Sequence, residues 1–476
     1  MTQNDANYMK FTKISSTIQK SLNSILEQYP LVSKIVTAID QCNGKAILVG
    51  GAVRDLLLNL KTKDLDIEVH GLELKDLEAI LKKFGDVSLV GKVFGVLRLH
   101  GLDVDWSLPR ADSPGRKPEV AIDPFMGFED AFRRRDLTIN AMGIDLKTHE
   151  LIDPFGGARD LEQEILRAPD EKFFIEDPLR LYRVMQFIGR FEMEPDEQLN
   201  VLCKRMDITG VSRERIEEEF AKLFLKSRRP SFGIEWLREI GRLQEILPEL
   251  AAIIGVPQDP QWHPEGDVFE HTMQAIDVAA ALTYASDEEK LIMIYAALCH
   301  DLGKLETTEE IDGRIKSLEH AQEGAPIAQQ LLSRITNNKK LIEAVCKLVS
   351  YHMAPVQFIT GHARSAAYKR LARKLAPEIT LQQLAQLSLI DKRARSPIKG
   401  KLLIIDDPAV TKFLQKAQEL NVLETVEEPV LLGRDLMDVV EPGPKMGELL
   451  KKAYEIQIEE GITDKEELKR RVLEGG

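Results

Sequence analysis

Strand signals fill the early part of this chain and stop at about Asp160; helical patterns then run to the C-terminus. A chain divided in this way folds as an α+β head followed by helical domains, because each pattern buries its apolar side in its own layer. The strand runs are Ala46-Ile47-Leu48-Val49, Leu65-Asp66-Ile67-Glu68-Val69, Val96-Leu97-Arg98-Leu99, Asp103-Val104-Asp105-Trp106 and Ala141-Met142-Gly143-Ile144. Before them, residues 1–40 read as an amphipathic helix, with Ile14, Ile18, Leu22, Ile25 and Leu26 near helical spacing. Pro109 to Pro118 is a Pro/Gly/charge stretch with the composition of a loop, and a second junction lies near 256–266. At 476 residues the chain exceeds a single core. The expected divisions are an N-terminal helical segment (1–40), a catalytic head (41–165), a helical neck (166–255), a further helical domain (256–400) and a helical tail (401–476).

Composition excludes several classes. No run of about 18 apolar residues is present to span a membrane, and the polar segment Met1 to Lys20 lacks the apolar stretch of a secretory signal. The scattered cysteines Cys42, Cys203, Cys299 and Cys346 form no CxxC pair and fit buried thiols in a reducing cytoplasm. A net charge of −13 speaks weakly against a nucleic-acid partner, because local basic faces make a phosphate footprint. Arg364 to Lys401 carries ten Lys or Arg against Glu378 and Asp391, and Arg133-Arg134-Arg135 and Arg228-Arg229 are smaller clusters. A solvated helix face accounts for any one of these equally well.

Gly50-Gly51-Ala52-Val53-Arg54-Asp55 follows a strand and opens a helix. Its glycines let the backbone pass close to a phosphate, and the helix start offers free N–H groups. Asp64-Leu65-Asp66 then lies on a strand, where positions i and i+2 project to the same side. Two neighbouring carboxylates repel unless a hard cation such as Mg²⁺ joins them, and Asp105, on a later strand, supplies a third. Two such ions stabilise both the attacking and leaving oxygens of a phosphoryl displacement.

With these motifs the chain, from about Ala46 to Phe220, resembles the nucleotidyltransferases of the polymerase-beta superfamily. It is most similar to the bacterial, class II tRNA CCA-adding enzymes and their poly(A) polymerase relatives. Arg134-Arg135-Asp136-Leu137-Thr138-Ile139-Asn140-Ala141-Met142 matches RRDxTINAM, Asp153-Pro154-Phe155-Gly156-Gly157 the hinge motif, Glu176-Asp177-Pro178-Leu179-Arg180 the EDxxR template motif, and Ser212-Arg213-Glu214-Arg215-Ile216 the neck motif. The resemblance implies a mixed, mainly antiparallel head sheet flanked by helices, with an all-α neck and body. It implies that Asp64, Asp66, Asp105 and Arg110 are catalytic and that Asp64 and Asp66 hold Mg²⁺. It implies nucleotide contacts from Gly50, Gly51, Arg54, Arg134, Arg135, Asp136, Asn140, Asp177, Arg180 and Arg183, and RNA contacts from Arg213 and Arg215. Arg110 precedes a loop that in the family helps the switch from C to A addition. The implied partners are tRNA, CTP and ATP, and no membrane; monomer and homodimer both stay open.

The template motif has a chemical rationale. Asp177 and Arg180 are i and i+3 on an expected helix and so share a face. A carboxylate accepts from an exocyclic amino group and a guanidinium donates to a ring nitrogen or carbonyl. Cytosine and adenine both present an amino donor beside a ring acceptor, so one pair accepts both; a surface ion pair is the alternative reading.

Four of the nine histidines, His271, His300, His320 and His352, fall within 82 residues, and His300-Asp301 ends an apolar helix in an HDxGK sequence. Imidazole and carboxylate together suit transition metals. With Asp391 downstream, residues 263–395 resemble the HD phosphohydrolase domain. By that resemblance His271, His300, Asp301 and Asp391 are ligands for Ni²⁺, Mn²⁺ or Mg²⁺, and His320 and His352 fall where two-metal members carry further ligands. An HD domain attached to a CCA enzyme resembles the enterobacterial type of arrangement, which implies that it removes phosphate or opens a cyclic phosphate at damaged RNA ends. Lys445 and the tail after it match a segment often found beyond HD domains, with no chemistry assigned. A-only or CC-only addition, poly(A) synthesis, and an HD hydrolase whose head merely binds ligand are the competing readings.

Overall fold

The computed structural model describes residues 11–62, 65–90, 95–112 and 120–474. Asp64 and most of the expected 109–118 loop therefore lie outside the described residues. The chain divides into two compact units, Met1–Ser212 and Arg213–Gly476.

The first unit is built on an eight-stranded sheet ordered β1-β10-β9-β2-β3-β6-β5-β4. Its strands are β1 (Phe11–Lys13), β2 (Lys45–Val49), β3 (Leu65–His70), β4 (Val87–Val90), β5 (Val96–Leu99), β6 (Val104–Ser107), β9 (Gly143–Asp145) and β10 (Glu150–Ile152); β7 (Arg110–Asp112) and β8 (Val120–Ile122) make a separate hairpin. Every sheet pairing is antiparallel except β3 with β6. Strand alternation is plain in β6, where Val104 and Trp106 are buried and Asp105 and Ser107 face the other way. Trp106 and Phe132 are wholly buried, each worth about 1.5–3 kcal/mol relative to exposure.

Three expectations need correction here. The N-terminal segment is not one helix. Pro30 lacks an N–H and forces Tyr29 out of helical geometry (φ −125°, ψ 64°), so the helices are Ser16–Gln28 and Pro30–Gln41. Phe11–Lys13 instead pairs with β10 and forms the edge of the sheet. The strand expected at Ala141 begins at Gly143, because Thr138–Asn140 forms a 3₁₀ turn.

The second unit is mainly helical, as expected. It also contains a hairpin, Thr308–Ile311 with Arg314–Ser317. Asp312 and Gly313 both take positive φ, 54° and 72°, as a two-residue Asp-Gly hairpin turn requires. The tail closes on its own small core, in which Leu436, Leu449, Leu468 and Val472 are buried.

Candidate functional site

In the head, the register of the parallel pair β3 and β6 sets Asp66 directly beside Asp105. Adjacent strands lie about 4.8 Å apart, so the two carboxylates share one sheet face. Asp66 is exposed, whereas Glu68 and His70, next on that face, are buried. His70 is covered by Phe128, whose ring centroid is 4.6 Å away on helix Phe128–Arg133. Glu68 meets His70 Nε2 at 3.0 Å and the guanidinium groups of Arg134 and Arg135 at 3.8 and 3.9 Å. Burial would raise the Glu68 pKa, but His70 and the two arginines hold it below the usual value. Asp105 is held by Arg98 through both carboxylate oxygens, one at 3.0 Å.

The glycine turn stands at the end of β2, whose register with β3 runs from Lys45↔His70 to Leu48↔Ile67. One further step brings the turn to the Asp66 end. Gly50 has φ 72°, and a Cβ there would sit 2.8 Å from Arg135 Nη1. Only glycine allows both that conformation and the guanidinium lying over it.

Behind this face runs a chain of hydrogen bonds. Arg54 donates to Asp55 Oδ1 at 2.9 and 2.7 Å and to Asn140 Oδ1 at 2.6 Å. Asn140 Nδ2 donates to Asp136 Oδ1 at 2.9 Å, and Arg183 Nε donates to Asp136 Oδ2 at 2.6 Å. Burial works against the Asp136 charge, yet Arg183 and Asn140 bring its pKa down to about 2. The RRD motif is thus fastened to helix Leu179–Phe191. Arg180 adds to this, donating to Phe173 O at 2.6 Å and to Arg134 O at 2.5 Å.

Asp177 departs from expectation. It lies between helices Glu171–Glu176 and Leu179–Phe191 with extended geometry (φ −111°, ψ 100°). Pro178 disfavours helical geometry at the residue before it. The i,i+3 argument therefore fails; Asp177 instead accepts from Leu179 N at 3.1 Å. Arg110 opens the β7–β8 hairpin. Arg213 and Arg215 are exposed at the start of helix Arg213–Lys226, where Arg213 donates to Asn337 Oδ1.

In the second unit all six expected metal ligands converge. They come from the ends or interiors of separate helices: His271 from Val268–Ala281, His300 and Asp301 after Asp287–Cys299, His320 opening His320–Ile335, His352 after Lys339–Tyr351 and Asp391 within Leu381–Arg393. Gly303 of the HDxGK sequence permits this convergence, since a Cβ there would lie 2.1 Å from His320 O. His271 Nε2 lies 3.2 Å from His300 Nε2, 3.2 Å from Asp391 Oδ1 and 3.6 Å from Asp301 Oδ2. His320 Nε2 lies 3.2 Å from His352 Nε2 and 3.5 Å from Asp301 Oδ1. Asp301 therefore stands between two ligand sets.

The hydrogen bonds on the other ring nitrogens decide what these sets can hold. Nδ1 of His300, His320 and His352 faces the carbonyl oxygens of Ala297, Ser317 and Val349 at 2.8, 2.7 and 2.8 Å, and Nδ1 of His271 faces Glu265 Oε1 at 2.6 Å. Carbonyl and carboxylate only accept, so each Nδ1 carries a proton, and a ring in its neutral form presents its lone pair at Nε2. Two pairs of such lone pairs, each 3.2 Å apart, repel unless a proton or a cation lies between them. The donor set thus fits transition-metal ions. Burial and the neighbouring His300 and His320 push His352 down to about 3, so it stays neutral. For His271, burial is outweighed by Asp391, Glu265 and Asp301, which hold its pKa above the usual value. Asp301 and Asp391, although buried, stay well below the usual carboxylate range because His300 and Lys304 face the first and Arg395 and His271 the second.

Three comparisons agree with this geometry. Residues 46–167 match the poly A polymerase head domain, 191–254 the probable RNA and SrmB-binding site of polymerase A, and 268–394 the HD domain. The Multifunctional CCA protein of Pasteurella multocida is 37% identical over 278 residues, which are 56% of this chain and 64% of that one. That of Stenotrophomonas maltophilia (strain K279a) is 36% identical over 318 residues, 64% of this chain and 75% of the relative. The chain belongs to the multifunctional CCA protein family.

The matches to these two family members leave between a quarter and somewhat over a third of their length unspanned. The fold extends further than the sequence match. The Bacillus stearothermophilus CCA-adding enzyme in complex with CTP superposes with a TM-score of 0.64 at 21% identity, covering 97% of this chain and 98% of that one. The Thermotoga maritima CCA-adding enzyme complexed with tRNA gives 0.57 at 20% identity and 95% coverage of both.

Several supporting residues escaped the sequence reading. Glu68 and His70 continue the i+2 alternation from Asp66 and were legible by that rule. Arg98 follows only from the β5–β6 register, which sets it against Asp105. Glu265 joins His271 to His263, Lys304 lies 2.7 Å from Asp301 Oδ2, and Arg395 donates to both oxygens of Asp391 at 2.8 Å.

Proposed function

We propose that the chain adds C, C and A from CTP and ATP to the 3′ end of tRNA without a nucleic-acid template, releasing pyrophosphate, and that its HD domain hydrolyses phosphate esters. The observation that carries the transfer reading is the Asp66–Asp105 pair, set side by side next to the Gly50 turn and Arg135. Asp66 and Asp105, with Asp64, would hold Mg²⁺, which lowers the pKa of an attacking hydroxyl and neutralises triphosphate charge. Arg134 and Arg135 receive the triphosphate, and Glu68 between them fixes their spacing. Arg54, Asn140, Asp136 and Arg183 are positioning residues: their hydrogen-bond chain keeps the RRD backbone rigid, so little reorganisation is needed on binding. Arg180, anchored on two carbonyls, and Asp177 supply the donor and acceptor that select cytosine and adenine. Arg213 and Arg215 meet RNA phosphates.

In the HD domain, His271, His300, Asp301 and Asp391 would hold one ion, and Asp301, His320 and His352 a second; Ni²⁺, Mn²⁺ and Mg²⁺ are the candidates. Such ions polarise a phosphoryl oxygen and generate a hydroxide nucleophile near neutral pH. Glu265 and the backbone carbonyls fix the imidazole tautomers, and Lys304, Lys392 and Arg395 bring positive charge to the pocket wall.

The test is incubation of tRNA ending at its discriminator base with CTP alone, ATP alone, and both. Two additions with CTP and a third only with both support the reading; A-only, C-only or a long A tail selects a competing one, and no addition discards it. For the HD site, bis-p-nitrophenyl phosphate with each ion in turn should turn over, and a rate no higher than that of His300→Ala with every ion would discard the hydrolase.

A further inference from the structure

The Pro/Gly-rich junction near 256–266 has so far received no role, and the side chain it carries gives it one. Of the three tryptophans, Trp262 alone is open to water: it is 59% exposed, against 4% for Trp236 and 0% for Trp106. Tryptophan ordinarily contributes through burial of its large ring, so an indole left exposed is placed for something that comes to it. Trp262 lines the cavity of about 260 Å³ at the metal ligands, where Ile315 and Met353 are the other apolar side chains.

The loop fixes the backbone of Trp262 from both sides. Trp262 N and His263 N both donate to Asp259 O, at 3.0 and 2.9 Å. Before this turn, Gln258 Oε1 accepts from Lys304 Nζ at 2.8 Å, and Gln258 Nε2 donates to Gly266 O and Asp267 O at 3.3 and 3.1 Å. After it, Glu265 Oε1 joins His263 Nδ1, at 2.8 Å, to His271 Nδ1, at 2.6 Å. The indole is thus carried between an anchor on Lys304 and an anchor on the metal ligand His271. A ring held in this way presents its face to a ligand at little cost in ordering. Lys304, Lys392 and Arg395 line the same cavity, so one site offers cations for a phosphoryl group and an aromatic face for a second group.

We infer that Trp262 is a specificity-determining residue of the HD site: it stacks on the nucleobase of the bound phosphate ester and makes the site prefer nucleoside esters to base-free ones. Stacking reads a π-face, which every base has, so Trp262 adds affinity for a base without choosing among the four. Recognition of base edges, which the head needs, has no part in it. The inference rests on the hydrolase reading and deepens it, by naming the residue that holds the alcohol side of the ester.

The full chain loaded with Mn²⁺ would be given adenosine 3′-phosphate and methyl β-ribofuranoside 3-phosphate, which differ only in the base, and phosphate release followed. Loss of one base–aromatic stack weakens binding roughly five- to a hundredfold, so the adenosine ester should be preferred in kcat/KM by at least about tenfold, mainly through KM. Trp262→Ala should bring that ratio to within about threefold of one, and Trp262→Phe, which keeps an aromatic face, should retain most of it. A ratio near one in the native chain, or an unchanged ratio in Trp262→Ala, overturns the inference. Release from neither ester indicts the hydrolase reading instead. Acrylamide quenching of tryptophan fluorescence, with Mg²⁺ present, then decides the stacking alone, because Trp262 is the exposed indole. Adenosine 3′-phosphate should protect it and the methyl riboside ester should not. No difference between the two esters, or protection that persists in Trp262→Phe, overturns it.

Discussion

Asp301 should control both metal ions of the HD domain, because its Oδ2 lies 3.2 Å from His300 Nε2 and its Oδ1 3.5 Å from His320 Nε2. Asp301→Asn keeps the shape and removes the anionic oxygens from both ligand sets, whereas His352→Ala strips a ligand from the second set only. An ion at a hundred times its dissociation constant stabilises a folded protein by about 2.7 kcal/mol per site. Two sites give roughly 5 kcal/mol, and at about 2–4 °C per kcal/mol the native chain should gain roughly 10–20 °C in melting temperature on adding Mn²⁺. His352→Ala should gain about half of that and bind one ion. Asp301→Asn should gain almost nothing and bind none. The comparison is between loaded and metal-free forms of each variant, because Asp301→Asn also takes from Lys304 its carboxylate partner. Calorimetric melting and elemental analysis of bound metal are the assays. An Asp301→Asn chain that binds two ions and shows the full gain would refute the shared-ligand geometry, and one that loses a single ion would confine Asp301 to one set.

Other consequences are separable from this one. Gly50→Ala forces a Cβ into the left-handed region against Arg135, costing about 1–2 kcal/mol; transfer should fall at least tenfold while melting drops only a few degrees, and unimpaired transfer would show that Arg135 over Gly50 does not matter. Asp177→Ala should relax base choice more than it lowers the rate, and an equal loss with all four nucleotides would contradict its role. Asp277 accepts from Ser231 N and Oγ at 3.0 and 2.8 Å, but burial raises its pKa to about 7. A raised folded-state pKa means that its contribution is full below about pH 4 and is lost as pH climbs through 7, about 4 kcal/mol in all. Urea unfolding at pH 5 and 8 should show Asp277→Asn gaining on the native chain as pH rises, and a constant difference would reject the shift.

The imidazole and carboxylate cluster of the HD domain was legible in the sequence because HDxGK and clustered histidines are local patterns. Their geometry was not, since six residues meet from separate helices and Glu265 and Arg395 declare nothing locally. In the head, alternation marked the acidic face of β3. Its union with Asp105 depended on which distant strand lay alongside, and the parallel pairing of β3 with β6 decided that. Pro178 sets Asp177 outside the helix and Pro30 divides the N-terminal segment, two local effects that helical periodicity masks. The Asp312-Gly313 hairpin was readable by turn chemistry but lay in a region dominated by helical periodicity.

The most direct measurement takes Asp66→Ala and Asp105→Ala, checks that each melts like the native chain, and follows pyrophosphate release in a single turnover with CTP and a tRNA lacking its terminal CCA. Both variants should be slower by about a thousandfold or more, in the range lost when a key electrostatic group is removed from an active site. Either folded variant releasing pyrophosphate at the native rate would contradict the assignment of that face to catalysis.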